Sequence, residues 1–195
     1  LLIKISKAAN GMPIWCIFFH EMTKMTAFAD TLVKVGSKPE ENTDAVLVQV
    51  IKEMQQILQC SKIDGMAGNE TNENYNNFKG IKHFTRNEFK CKCGCGNDRI
   101  DIRLVKILDE IRDYYGKPAV ITSGYRCVKH NKDVGGVTGS WHTKNKASDF
   151  YIDGVNVTEL LSHCIDLRNQ GKIRYTYTNN TSMNGVVHID IGGIR

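Results

Sequence analysis

A chain of 195 residues, 41% hydrophobic and 24% charged, is long enough to bury a real core and has the balance of a folded globular protein, not a disordered one. The formal net charge of +5 suits an anionic polymer such as nucleic acid or a bacterial cell wall, and there is no apolar run of about eighteen residues to cross a membrane. Seven cysteines, an odd number without regular spacing, exclude the disulfide framework of a small secreted scaffold and leave the redox compartment open.

Residues 1–42 read mostly as helix through IWCIFFHEMTKMTAFADTLVKV, with an apolar cluster at Trp15, Phe18 and Phe19 and no assigned role. The opening LLIKISKAANG turns polar too soon for the apolar part of a secretory signal, so no signal peptide is expected. Cys16 and His20 would share one helix face, and a buried thiol beside a surface histidine explains them better than a nucleophilic pair. GSKPEENTD, residues 36–44, reads as a linker. Val46, Val50, Met54, Ile57 and Leu58 then repeat at helical spacing, with Thr43 or Asp44 as N-cap. Asp64-Gly65 is a tight turn, and Thr71, Asn74, Tyr75 and Phe78 recur at helical spacing after it. This order of helix, Asp-Gly turn, Gly-x-x-Thr and helix rests on Asp64, Gly65, Gly68, Thr71, Tyr75 and Phe78. It resembles the small peptidoglycan-binding module found beside many cell-wall hydrolases, over residues 43–80; a plain helical hairpin is the competing reading.

A second unit is expected over residues 84–195. FTRNEFKCKCGCGN has no clear period. Asp101 to Tyr115 is an amphipathic helix with Ile102, Val105, Leu108, Ile111 and Tyr115 on its stripe and Gly116 at the C-cap position. Lys117-Pro118 turns the chain into the strand AVITS. A glycine-rich loop leads to a second strand, ASDFYI. Val157 to Arg168 is a second amphipathic helix, with Leu160, Leu161, Cys164 and Leu167 inward. KIRYTYT, the turn NNTSMNG and VVHIDI close the chain as an antiparallel hairpin. The fold class is therefore α+β: a small antiparallel sheet with flanking helices, preceded by a small helical module.

The polar residues gather late in the chain. Strand alternation puts His188 and Asp190 on one face of the last strand and Val187, Ile189 and Ile191 on the other, so the first face lines something polar. His142 and Asp149 can stand on two sides of a loop entering a strand. Two histidines and an aspartate are a donor set for catalytic zinc, which takes three protein ligands and keeps one position for water. Spacing alone leaves them equally open to a structural role.

Three blocks, SGYRC, HN..VGGV..S.H...KA.DF and VVHID, stand in this order between Phe84 and Ile191. Together they resemble the zinc D-alanyl-D-alanine carboxypeptidase family, peptidase family M15, including its endolysin-type members. The resemblance implies a zinc site built from His142, Asp149 and His188. It implies that Arg126 binds substrate and stabilises developing charge, and that Ser140 and Trp141 border the cleft. The activity implied is zinc-dependent hydrolysis of peptidoglycan stem peptides or cross-bridges, as a D-Ala-D-Ala carboxypeptidase or an endopeptidase. The place implied is extracellular or wall-associated, as for a phage lysin released at lysis.

The chain departs from the family pattern in two places. Asn145 stands where the family has glycine, and asparagine is the side chain that best tolerates a left-handed backbone. Asn184, Gly185, Val186 and Val187 stand where related enzymes often carry an acidic or histidine base. Asp190 becomes the candidate base, with orientation of a zinc-bound histidine as its alternative. The missing base also supports a rival reading of the whole: a non-catalytic zinc-containing cell-wall-binding domain. His130 and Asp133 read as loop-forming. Cys91, Cys93 and Cys95 lack the two-residue gap of zinc ribbons, so free or disulfide-linked cysteines, one of them paired with Cys127, are expected in preference to a second zinc. Basic residues are scattered without an aromatic stripe, which disfavours a nucleic-acid partner.

Overall fold

The computed structural model describes residues 39–178 and 185–193. The helix read across residues 14–35, the Cys16/His20 pair and most of the 179–185 turn lie outside the described residues. The described residues belong to one compact unit, and none of their helices is long and apolar enough to cross a membrane.

Helix α1 spans Pro39–Ile57, so it takes in the PEENTD stretch that reads as linker. Proline's fixed φ suits the first helical turn and Glu40 and Glu41 are good helix formers, which outweighs the turn-like composition. The helix buries Val50, Ile51 and Met54, and Leu58 follows into the core. The expected Asp64-Gly65 turn is built around the buried Gln55, whose amide donates to Asp64 Oδ1 (2.9 Å) and accepts from the Gly65 N–H (2.9 Å). Gly65 has φ 78°, and a Cβ there would stand 2.6 Å from Val48 Cγ1, so both conformation and space demand glycine. Helix α2, Asn69–Asn76, stops short of Phe78, which turns left-handed (φ 49°) and packs in the core against Phe89 with ring centroids 6.2 Å apart. The Tyr75 hydroxyl donates to Ile100 O (2.7 Å), tying α2 to the rest of the unit.

Helix α3, Ile102–Tyr115, is capped by Asp101, which accepts the Arg103 N–H, and by left-handed Gly116. Its predicted stripe buries Ile102, Val105, Leu108 and Ile111. Four strands follow among the described residues: β1 Ala119–Ser123, β2 Ala147–Ile152, β3 Tyr175–Thr178 and β4 Val187–Asp190. They form one antiparallel sheet in the order β1-β2-β4-β3. Helix α4, Val128–Asp133, lies in the β1–β2 connection, and helix α5, Val157–Asn169, in the β2–β3 connection.

The pleat divides the sheet into two chemistries. Ile121, Phe150, Ile152, Val187 and Ile189 are buried, with α5 packed on β3 and β4 and α3 packed on β2. Each fully buried side chain of this size contributes roughly 1.5–3 kcal/mol. On the other face, register aligns Ser123, Asp149, His188 and Tyr177 in one row across all four strands. That row is the polar lining expected from the His-x-Asp alternation of the last strand.

Candidate metal centre

His142 comes to this row from the long β1–β2 connection. Residues Trp141–Lys144 form a 3-10 turn whose N-cap is Ser140, its hydroxyl accepting the His142 N–H (3.3 Å). Asn145 ends the turn in the left-handed conformation (φ 64°), as its substitution for glycine requires, and the chain enters β2 directly. Trp141 lies flat against the chain after β4. A Cβ on Gly192 would be 2.0 Å from the indole, so only glycine permits this packing.

The three segments meet closely. The His142 Nδ1–H donates to Gly124 O (2.7 Å), since a carbonyl can only accept. This directs the Nε2 lone pair toward Asp149 Oδ1 (3.1 Å) and His188 Nδ1 (3.3 Å). His188 Nδ1 is 2.7 Å from the same carboxylate oxygen. Donor atoms of His142, Asp149 and His188 all lie within 4.8 Å of one another. The residues are only 2%, 5% and 6% exposed, so the cluster is shielded from bulk water.

Burial works against the Asp149 carboxylate, but the His142 and His188 rings beside it outweigh that penalty and hold its pKa well below the usual range. Burial likewise pushes the His188 pKa down, and the Asp149 carboxylate bonded at Nδ1, with the Asp190 carboxylate facing the far nitrogen, raises it past its ordinary value. The second oxygen of Asp149 accepts from Arg126 Nη2, while Arg126 Nε donates to Ser123 Oγ (2.7 Å). The Arg126 backbone N–H donates to His142 O (3.2 Å), so this arginine is fixed to the cluster at both ends.

The other two predicted residues stand elsewhere. Asp190 faces the far nitrogen of His188, with Oδ2 3.6 Å from Nε2, and its Oδ1 accepts the Gly192 N–H (3.0 Å). It meets the cluster only through the His188 ring. Ser140 uses its hydroxyl oxygen to cap the turn that carries His142. Sequence reasoning passed over Tyr177, whose ring centroid is 4.8 Å from that of His188 and whose side of the sheet is open to solvent at 41% exposure. It also passed over Ser123 and the Gly124 carbonyl. The alternation in YTYT held the signal for Tyr177, but the eight-residue connection to β4 left the register undefined.

A second group of donors lies apart from this row. Among the described residues all six cysteines are free, and the sulfurs of Cys91, Cys93, Cys95 and Cys127 fall within 4.8 Å of one another.

A profile of the peptidase M15 family matches residues 82–190, the stretch that supplies Arg126, His142, Asp149 and His188. The peptidoglycan L,D-endopeptidase MepK of Escherichia coli K12 is 32% identical over 84 residues, 40% of this chain and 43% of the relative. MepK of Shigella flexneri matches to the same extent. The chain thus spans less than half the length of these curated relatives. No solved structure matches it.

Proposed function

The chain belongs to the peptidase M15 family, and from that premise we propose that it is a zinc peptidase hydrolysing peptide bonds in peptidoglycan stem peptides or cross-bridges. The observation that carries this reading is the buried convergence of His142 Nε2, Asp149 Oδ1 and His188 Nδ1. Two imidazole nitrogens and one carboxylate oxygen fit zinc with a fourth position left open. Each would-be ligand also has an outer partner that fixes its orientation: Gly124 O for His142, Arg126 for Asp149 and Asp190 for His188. Zinc held there would supply a water of lowered pKa and a Lewis acid for the scissile carbonyl.

The surrounding side chains do the rest. Arg126 holds Asp149 in orientation, and its planar fork has further N–H groups for a substrate carboxylate or carbonyl oxygen. Tyr177 flanks His188 on the open side of the sheet, where its hydroxyl can donate to the substrate. Asp190, on the far nitrogen of His188, acts as a positioning residue in preference to the base. Ser140 serves the site by capping the His142 turn and not by touching substrate.

Peptidoglycan as substrate is supported by the peptidoglycan L,D-endopeptidase activity of the relatives and by the basic charge of the chain. The endopeptidase arm gains support over the D-Ala-D-Ala carboxypeptidase arm from the same relatives. A wall substrate puts the site of action in the periplasm or outside the cell. For residues 43–80 we propose a wall-docking role, supported by the resemblance of the helix, Asp-Gly turn and helix to the peptidoglycan-binding module. The rival, a non-catalytic zinc-containing wall-binding domain, draws on one observation: among the described residues no further histidine or carboxylate joins the cluster as a base.

Digestion of purified sacculi, with products identified by mass spectrometry, tests the proposal. Zinc-dependent cleavage inside the stem peptides or cross-bridges supports an endopeptidase; release of terminal D-alanine alone supports a carboxypeptidase. Binding to sacculi without cleavage by zinc-loaded protein would overturn the peptidase reading and leave the binding domain.

A further inference from the structure

The motif CKCGCG does not have the spacing of a zinc ribbon, and sequence reasoning sets a second metal aside for that reason. The cysteines are free, as that reading allows, but spacing does not show that the fourth sulfur comes from a distant segment. Cys91 Sγ is 3.4 Å from Cys93 Sγ, and Cys93 Sγ is 3.6 Å from Cys127 Sγ. With Cys95, all four converge within 4.8 Å. A disulfide would draw a pair to about 2.05 Å and gives no reason for four sulfurs to share one point. A tetrahedral zinc tetrathiolate, with Zn–S near 2.3 Å, has sulfur–sulfur edges of about 3.8 Å, close to what is seen here.

The local backbone is shaped for this convergence. Cys91 N donates to Asn97 O (2.8 Å), closing the loop that holds three of the cysteines. Gly94 and Gly96 take φ 81° and 79°, and a Cβ on either would meet nothing within 4 Å, so glycine is needed there for conformation alone. Two N–H groups already point at sulfur: Cys127 N at Cys91 Sγ and His130 N at Cys127 Sγ, both at 3.3 Å. Such donors stabilise thiolates, the form in which cysteine binds metal. Lys90, Lys92 and Lys129 flank the four cysteines in sequence, and Lys129 interacts electrostatically with Cys93 and Cys127, which offsets part of the net negative charge of a tetrathiolate around a divalent ion.

We propose that Cys91, Cys93, Cys95 and Cys127 bind a structural zinc ion in a closed, four-coordinate site. Tetrahedral sulfur ligation selects zinc over the harder divalent ions. The ion staples the 91–97 loop to the segment Gly124–Cys127. That junction is already tight: Tyr125 N donates to Phe89 O (2.9 Å), and a Cβ on Gly124 would lie 2.6 Å from the Phe89 backbone. The stapled segment carries Arg126 and the Gly124 carbonyl that receives the His142 ring. The tetrathiolate site therefore supports the geometry of the His/Asp cluster through Gly124 and Arg126. It stands on its own observations and does not depend on the peptidase reading.

The full chain, purified reduced and without oxygen, is stripped of metal and titrated with cobalt(II). A thiolate-to-cobalt charge-transfer band in the near ultraviolet, with zinc displacing the cobalt, is expected. The Cys93→Ser/Cys95→Ser variant should lose that band and bind one metal equivalent fewer, whereas His188→Ala should keep the band. Alkylation of the unaltered chain provides a second reading that does not require a variant to fold. Zinc should slow labelling of Cys93, Cys95 and Cys127, and a chelator should restore it. Absence of the charge-transfer band, or zinc-insensitive labelling of these cysteines, would overturn the proposal.

Discussion

Asn145 closes the turn behind His142 at φ 64°, a conformation that strains every side chain with a Cβ, and its buried Oδ1 has no hydrogen-bond partner. Asn145→Gly is therefore expected to hold or raise the melting temperature, while Asn145→Val costs about 1–2 kcal/mol in denaturant unfolding. Asp190 makes a sharper test. As a positioning residue on His188 Nε2, its replacement by asparagine should weaken zinc binding about 10–100-fold and leave cleavage at saturating zinc largely intact. Loss of cleavage with zinc affinity unchanged would return Asp190 to the role of base. At this scale much of the site was legible: His142, Asp149, His188 and Arg126 stand in blocks whose order and content carry the family pattern. Tyr177 and the Gly124 carbonyl were not, because the first needs strand register and the second is a backbone atom.

The elements that sequence periodicity marks most strongly, α3, α5 and the four strands, are those with a continuous apolar stripe or a clean alternation. The short ones escaped. Helix α4 and the 3-10 turns Arg86–Phe89 and Trp141–Lys144 are too brief for a period to show, and they carry or border the site. The start of α1 was misread because acidic residues beside a proline resemble a linker as closely as a first helical turn. Electrostatics also acts between elements. Asp113 on α3 accepts from His83 and Lys82 (2.6 Å each), and these two bonds, His83 foremost, lower its pKa from 3.8 to about 2. A lowered folded-state pKa means stability present above about pH 4 and lost as pH falls toward 2. The melting temperature should drop through that window, and Asp113→Asn should flatten the drop.

For the molecule as a whole, the sheet separates two tasks. One face is an apolar core under α3 and α5; the other presents the row from Ser123 to Tyr177, with His142 folded over it. Close after Ser123 in the chain, the loop bearing three cysteines meets the fourth at the head of α4. The His/Asp cluster was readable from sequence because its segments appear in family order. The cysteine cluster was not, because a Cys-x-Cys-x-Cys run only acquires its fourth member when β1 brings residue 127 beside it. We propose that zinc held by His142, Asp149 and His188 drives wall-peptide hydrolysis. It is tested most directly by titrating metal-free protein with zinc while following cleavage of stem peptides, in the unaltered chain and in His188→Ala. Cleavage should rise with zinc in the unaltered chain and stay at background in the variant. Equal cleavage by the variant, or none by the zinc-saturated unaltered chain, would contradict the claim.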